Sequence, residues 1–134
     1  KSSGSNLWIR SLIRAEPIIE FSLWKPRRNF LVSTLGPTFL SLTENELSSV
    51  LSDLEADVRE LARVNKQENE MICLLEISIL HFFRRSFDQI KSLFPIVNNL
   101  TASNSRDVCR AATTSIRYLA AESSDNFIFL RESL

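Results

Sequence analysis

The sequence is poor in the two residues that build tight turns, with two glycines and four prolines in 134 residues. This scarcity disfavours a sheet protein with many turns and leaves almost no material for glycine-dependent phosphate loops. The chain has one histidine, and its two cysteines are too few for a disulfide framework. Its apolar content of 44% is enough for the core of one domain. We therefore expect an all-α domain in a reduced, intracellular setting, cytoplasmic or nuclear.

The chain also lacks an excess of either charge, because 16 basic residues balance 16 acidic ones. This balance removes the usual electrostatic argument for binding nucleic acid or an anionic membrane. The apolar runs fall well short of the roughly 20 residues of a membrane span, so none is expected. Because Met71 is the only methionine, we expect a piece of a larger protein, with Lys1–Asn6 a flexible or vector-derived lead.

From residue 43 onward the chain contains regularly spaced helix-start signals. They are Thr43, Asn65, Ser86, Ser105 and Ser124. Three of these residues are followed three positions later by Glu or Gln, the spacing of a capping box. Each signal opens a segment with helical apolar periodicity. Two such segments give a period of about 40 residues, which is typical of stacked helix pairs in repeat proteins.

The N-terminal third predicts shorter helices. A helix over residues 7–14 and a second one from Pro17 to Trp24 are expected, the second ending at the sequence Lys-Pro-Arg-Arg of residues 25–28. A further helix over residues 29–42 is expected to kink or divide at Gly36-Pro37. We accordingly divide the chain into residues 7–28, a separate or fused helical segment, and residues 29–134, the helical-repeat domain.

The segment from Glu44 to Val64 has one apolar stripe and, on another side, a set of carboxylates that helical spacing brings within about 60° of one another. Those carboxylates belong to Glu46, Asp53, Asp57 and Glu60. A solvated outer face is the expected role of this acidic set. Its second interpretation is an alternative partner-binding surface.

The next helix, residues 66–85, is apolar nearly all the way round and is expected to form the centre of the core. His81 lies inside this run and is expected to be structural. The sequence has no nucleophile and base at a recognisable spacing, and Cys73, His81 and Cys109 lack the spacing of a zinc site. We therefore expect no enzymatic activity, no metal and no cofactor.

Residues 87–123, FDQIKSLFPIVNNLTASNSRDVCRAATTSIRYLAAES, resemble one armadillo repeat. They have a short first helix ending near Phe94, a second helix from Pro95, a polar turn, and a long third helix. Residues 46–86 are similar to the last two helices of a preceding unit. The resemblance implies a right-handed, armadillo- or HEAT-like stack of helix pairs, and a superhelical bundle is the alternative. It also implies that the third helix faces a concave binding surface.

The final predicted helix supplies the candidate binding residues. Helical spacing places Arg106, Arg110 and Arg117 within about 40° of one another, with Thr113 beside them. Beyond this helix, Phe127 and Phe129 add an apolar end that is expected to bind a partner or promote self-association. These residues predict a protein-interaction scaffold that binds an acidic, amphipathic helical or extended segment.

Two alternatives to the scaffold remain. A nucleic-acid-binding repeat would align Arg27, Arg28, Arg84, Arg85, Arg106, Arg110 and Arg117 in one continuous track. A compact helical domain that binds a peptide or a lipid head group would be closed by residues 1–42.

Overall fold

The computed structural model describes residues 7–16, 20–84 and 87–121, and all regular secondary structure in these ranges is helical. The all-α prediction is therefore confirmed. The elements are α1 (Leu7–Ile13), α2 (Phe21–Leu40), α3 (Glu44–Leu61), α4 (Gln67–Arg84), α5 (Phe87–Ile90), a 3-10 turn (Lys91–Leu93), α6 (Phe94–Leu100) and α7 (Arg106–Ala120).

Two predicted helix starts are made by the expected side chains. At the start of α3, Glu46 N donates to Thr43 Oγ1 at 3.1 Å, and Thr43 N donates to Glu46 Oε1 at 2.9 Å, which completes a capping box. Ser105 caps α7 by accepting from Val108 N.

A third predicted cap, Asn65, is wrong. Glu70 N donates to Lys66 O at 2.9 Å, so the first intrahelical bond of α4 reaches Lys66 and places the cap one residue later. The two other predicted starts, Ser86 and Ser124, lie outside the described residues.

Helix α2 is continuous where the sequence predicted two interruptions. It runs from Phe21 to Leu40 through both Pro26 and Pro37, so the predicted stop at residues 25–28 and the predicted division at Gly36-Pro37 are both wrong. Each proline removes one intrahelical hydrogen bond. Against this loss, α2 buries a stripe at helical spacing, formed by Trp24, Leu31, Leu35 and Phe39. The helix also crosses the domain boundary that the sequence suggested after residue 28.

Helix α4 is the centre of the core, as predicted. Every residue from Met71 to His81 is buried. Three long helices, α2, α3 and α7, pack around it. His81 is 4% exposed, which agrees with its predicted structural position. Because α4 is covered on several sides, it fixes the relative positions of α2 and α7.

Helix α1 belongs to the same core as the rest of the described chain. Ile9 is 1% exposed and Ile13 is fully buried, and both are members of the single buried apolar cluster. Helix α1 therefore contributes to the core formed by the later helices.

Candidate binding groove

The four residues predicted on the last helix line one groove. Helix α7 places Arg106, Arg110, Thr113 and Arg117 along a groove of about 360 Å³, which Phe21, Cys109 and Thr114 complete. The spacing i, i+4, i+7 and i+11 keeps the four side chains on one side of the helix. The other two predicted binding residues, Phe127 and Phe129, lie outside the described residues.

The groove carries positive charge that is not neutralised within residues 7–16, 20–84 and 87–121. Arg106, Arg110 and Arg117 are exposed, and no carboxylate of these ranges forms an ion pair with them. The nearest acidic residue in sequence, Asp107, has a different role. Its Oδ1 accepts a hydrogen bond of 2.8 Å from Phe21 N. Asp107 thereby caps α2, whose N-cap residue Glu20 makes no side-chain cap bond.

This cap places Phe21 in the groove beside the arginines. The Arg110 guanidinium carbon lies 5.1 Å from the Phe21 ring centroid, within the range of a cation–π contact. Phe21 is not among the predicted binding residues, because the short helix predicted from the sequence ended at Trp24. The contact joins residues 21 and 110, and neither helix alone indicates it.

An aromatic stack continues from Phe21 into the interior. The Phe21 and Trp24 ring centroids are 6.1 Å apart, and those of Trp24 and Tyr118 are 6.5 Å apart. The Arg28 guanidinium carbon lies 4.3 Å from the Tyr118 ring centroid. The stack fixes the start of α2 against α7 and therefore defines one wall of the groove.

Hydrogen bonds to α4 hold the inner end of this stack. Trp24 Nε1 donates to Met71 O at 3.1 Å, and Arg28 Nε donates to Ser78 Oγ at 2.7 Å. Burial lowers the pKa of Arg28 from its usual range. The Ser78 bond and the Tyr118 ring compensate the guanidinium for lost water. Both polar groups are thus satisfied where they enter the core.

The predicted acidic face is divided among different roles. Glu46 belongs to the capping box of α3. Glu60 is exposed, and its Oε1 lies 3.4 Å from Arg63 Nη1. Asp53 lines a small cavity between α1 and α3. Asp57 is 7% exposed, so the prediction of a solvated face is wrong for this residue. The physical reason is that α1 covers this part of α3. The sequence predicted residues 7–28 to be a separate or fused segment, so this cover was not expected.

Asp57 is the centre of a buried charge network. Arg14 Nη2 lies 2.6 Å from its Oδ2, and Arg10 Nε lies 3.5 Å from its Oδ1. Behind it is Glu76, which is fully buried and accepts no hydrogen bond. Burial, together with a hydrogen bond to Asp57 and the charge of Asp57, raises the pKa of Glu76 well above its usual range. The absence of a donor to Glu76 among the described residues and its raised pKa have one explanation, which is that Glu76 is protonated and donates to the Asp57 carboxylate.

Replacing Glu76 with glutamine should stabilise the protein at neutral pH. The unfolded chain releases the Glu76 proton near pH 4.5, the ordinary value, whereas the folded chain retains it. Above pH 4.5 the free energy of unfolding therefore falls, by up to about 1.4 kcal/mol per pH unit, until the raised folded pKa is reached. Glutamine avoids this loss and can still donate to Asp57.

Urea denaturation followed by circular dichroism would measure the difference. The two proteins should match near pH 4.5, and the Glu76→Gln variant should be the more stable at neutral pH. The exposed Glu60→Gln is the control and should leave the pH profile unchanged. Parallel profiles for wild type and Glu76→Gln would show that Glu76 is already ionised in the folded state.

A second, larger cleft lies between the turn from α3 to α4 and the turn from α6 to α7. Its volume is about 630 Å³, and polar residues such as Asn65, Gln67, Asn99 and Asn104 line it. Cys73 also reaches the cleft, where burial and nearby carboxylates raise the pKa of its thiol to about 12. The thiol is therefore protonated at neutral pH and is a poor nucleophile. None of the residues predicted to bind a partner lines this cleft.

Comparisons with known proteins add no relative. No protein-family model, no curated protein and no solved structure matches the chain significantly. Within the part of the chain that the structure describes, no group of three or more His, Cys, Asp or Glu residues could hold a metal ion. None of the helices described there is long and apolar enough to cross a membrane.

Proposed function

We propose that this chain is a non-enzymatic interaction domain of a larger intracellular protein, and that its α7 groove binds an acidic, amphipathic segment of a partner protein. The observation that carries the proposal is the groove itself. Three exposed arginines without ion pairs inside the described ranges share it with an aromatic side chain. Arginine and aromatic residues are the types enriched at binding hot spots.

The spacing of the arginines indicates a form for the partner. At 1.5 Å per residue, Arg106 and Arg110 are about 6 Å apart along the helix axis, and Arg110 and Arg117 are about 10.5 Å apart. An antiparallel α-helix with carboxylates at i, i+7 and i+11 reproduces these intervals. A helical acidic segment therefore matches the groove with one carboxylate for each guanidinium.

The described contacts give less support to the nucleic-acid alternative. Of the arginines that would form its continuous track, Arg27 donates to Leu12 O, Arg28 to Ser78, and Arg84 to Glu55. Arg85 lies outside the described residues. Guanidinium groups that already have partners inside the fold are poor phosphate ligands, and only the α7 arginines remain as a group.

The armadillo-like arrangement of the domain remains part of this proposal. The element bounds support it, because α5 with the 3-10 turn, α6 and α7 occupy the positions predicted for the three helices of one repeat. In such a repeat the third helix faces the concave surface. Under the proposal, α7 therefore belongs to the binding side of the domain.

Titration of the isotopically labelled chain, followed by NMR, would test the function. The probe is a helical peptide with glutamates at i, i+7 and i+11, and its control is the same peptide with lysines at those positions. We expect shifts along α7 and at Phe21 with the acidic peptide alone. A short single-stranded oligonucleotide and phosphatidylserine vesicles are the other probes. Saturable α7 shifts with either of these, and none with the acidic peptide, would overturn the proposal in favour of that alternative.

A further inference from the structure

Helix α1 has the properties of a bound peptide. It is seven residues long, and isolated helices shorter than about 12–15 residues are marginal in water. Its helical state therefore depends on docking against the rest of the chain. Its sequence repeats one pattern, Ile9-Arg10 followed by Ile13-Arg14, which places two apolar and two basic side chains one helical turn apart.

The apolar half of this pattern is anchored in the core. Ile9 is 1% exposed and Ile13 is fully buried. By contrast, Leu7 and Trp8 on the same helix are about half exposed, at 52% and 46%. Ile9 and Ile13, at i and i+4, are thus the buried anchors of α1, and the partly buried Leu12 packs beside them, as in helices that bind grooves through a few anchors.

The two arginines of the pattern both contact one buried carboxylate. Asp57 of α3 contacts both Arg10 and Arg14, which are about one-third exposed, while its own side chain is 8% exposed. Within the described residues, Arg10 and Arg14 are the ion-pair partners of Asp57, so without α1 this carboxylate would lose both of them. An unpaired charge at this depth is costly. The surface beneath α1 therefore requires an occupant that carries a positive charge.

The C-terminal end of α1 is bound by a side chain of α2. Arg27 of α2 donates from Nη2 to Leu12 O at 2.8 Å, and its side chain lies against the Phe30 ring. Leu12 O lies in the last turn of α1, where a helix lacks i+4 donors, and it also accepts a long hydrogen bond of 3.4 Å from Ala15 N. Because this bond involves the backbone, it suits any helix that ends at this place.

We propose that the surface beneath α1 is a binding site for basic amphipathic helices of the pattern Ile-Arg-x-x-Ile-Arg, with α1 as its resident intramolecular ligand. Asp57 selects the arginines, the core receives the isoleucines, and Arg27 caps the final turn. A partner helix of this pattern displaces α1. This site is separate from the α7 groove and selects a partner of the opposite charge, so it does not depend on the proposed function.

Hydrogen exchange on the unmodified chain would test the displacement directly. The probe is a synthetic, end-capped peptide of residues 7–16, LWIRSLIRAE. At saturating peptide, we expect the amides of α1 in the protein to lose protection while those of α3 and α4 keep it. If α1 exchanges only through global unfolding, at the rate of α4, the proposal is wrong.

Peptide affinity, measured by fluorescence anisotropy, would test the recognition. Arg10→Glu with Arg14→Glu in the protein should tighten peptide binding at least about tenfold, because the resident helix no longer competes. Adding Asp57→Asn to this double variant, in which α1 no longer competes, should weaken peptide binding by a similar factor. Glu60→Gln, on the exposed side of α3, is the matched control and should change nothing.

Two outcomes would overturn this assignment. If peptide binding to the Arg10→Glu, Arg14→Glu variant is insensitive to the added Asp57→Asn, the carboxylate has no part in recognition. Dimers that exchange α1 between copies, detected by sedimentation without peptide, would identify the occupant as a second copy of this chain in place of a partner helix.

Discussion

Replacing Trp24 with alanine is expected to lower the free energy of unfolding by about 3–5 kcal/mol, the range for a large buried aromatic side chain. Trp24 is fully buried, stacks between Phe21 and Tyr118, and donates a hydrogen bond to Met71 O. Alanine would leave a cavity where α2, α4 and α7 meet. Since domains are stable by about 5–15 kcal/mol in total, this is a large fraction. Urea denaturation followed by circular dichroism measures it without relying on tryptophan fluorescence.

Two further variants separate the contributions at this position. Trp24→Phe keeps an aromatic ring in the stack but loses the N–H donor, so it should cost clearly less than alanine. Trp8→Ala removes the other tryptophan, which is 46% exposed, and is the matched control for composition. A Trp24→Ala variant no less stable than Trp8→Ala would show that the stack does not join these helices.

Reversing Arg106, Arg110 and Arg117 to glutamate is expected to abolish binding of the acidic peptide while leaving the fold intact. The three guanidinium groups are exposed, so little packing is lost. Arg110 gives up its contact with Phe21, at about 0.5–1 kcal/mol. A glutamate in place of Arg106, by contrast, suits the N-terminal turn of α7. Binding by calorimetry and thermal melting by circular dichroism would check both parts.

The matched control reverses three basic residues outside the groove, Arg63, Lys66 and Lys91, all of them exposed. It makes the same change in net charge, so a general electrostatic effect would weaken binding equally in both variants. Glu60→Lys tests the alternative acidic surface without disturbing the buried Asp57 or the capping residue Glu46. If Glu60→Lys loses the partner and the arginine variant keeps it, the binding site is on α3.

Local patterns in the sequence determined much of the fold. The capping box at Thr43, the apolar stripe of α3 and the apolar run of α4 each depend on residues close together in the sequence, and the structure has all three. Helical spacing alone also places Arg106, Arg110, Thr113 and Arg117 on one side of α7, and the structure has all four along one groove. These features follow from the 3.6-residue period, which operates over a few neighbouring residues.

Only the tertiary structure decided which helix surfaces are covered. Asp57 is buried because α1, more than 40 residues earlier, packs over it with Arg14. Phe21 reaches the groove because its N–H donates to Asp107, 86 positions away. Helix α2 continues through two prolines because burial of its apolar stripe against other helices offsets the two lost hydrogen bonds. Local spacing sets the direction of each side chain within its own helix, but long-range packing determines what that side chain meets.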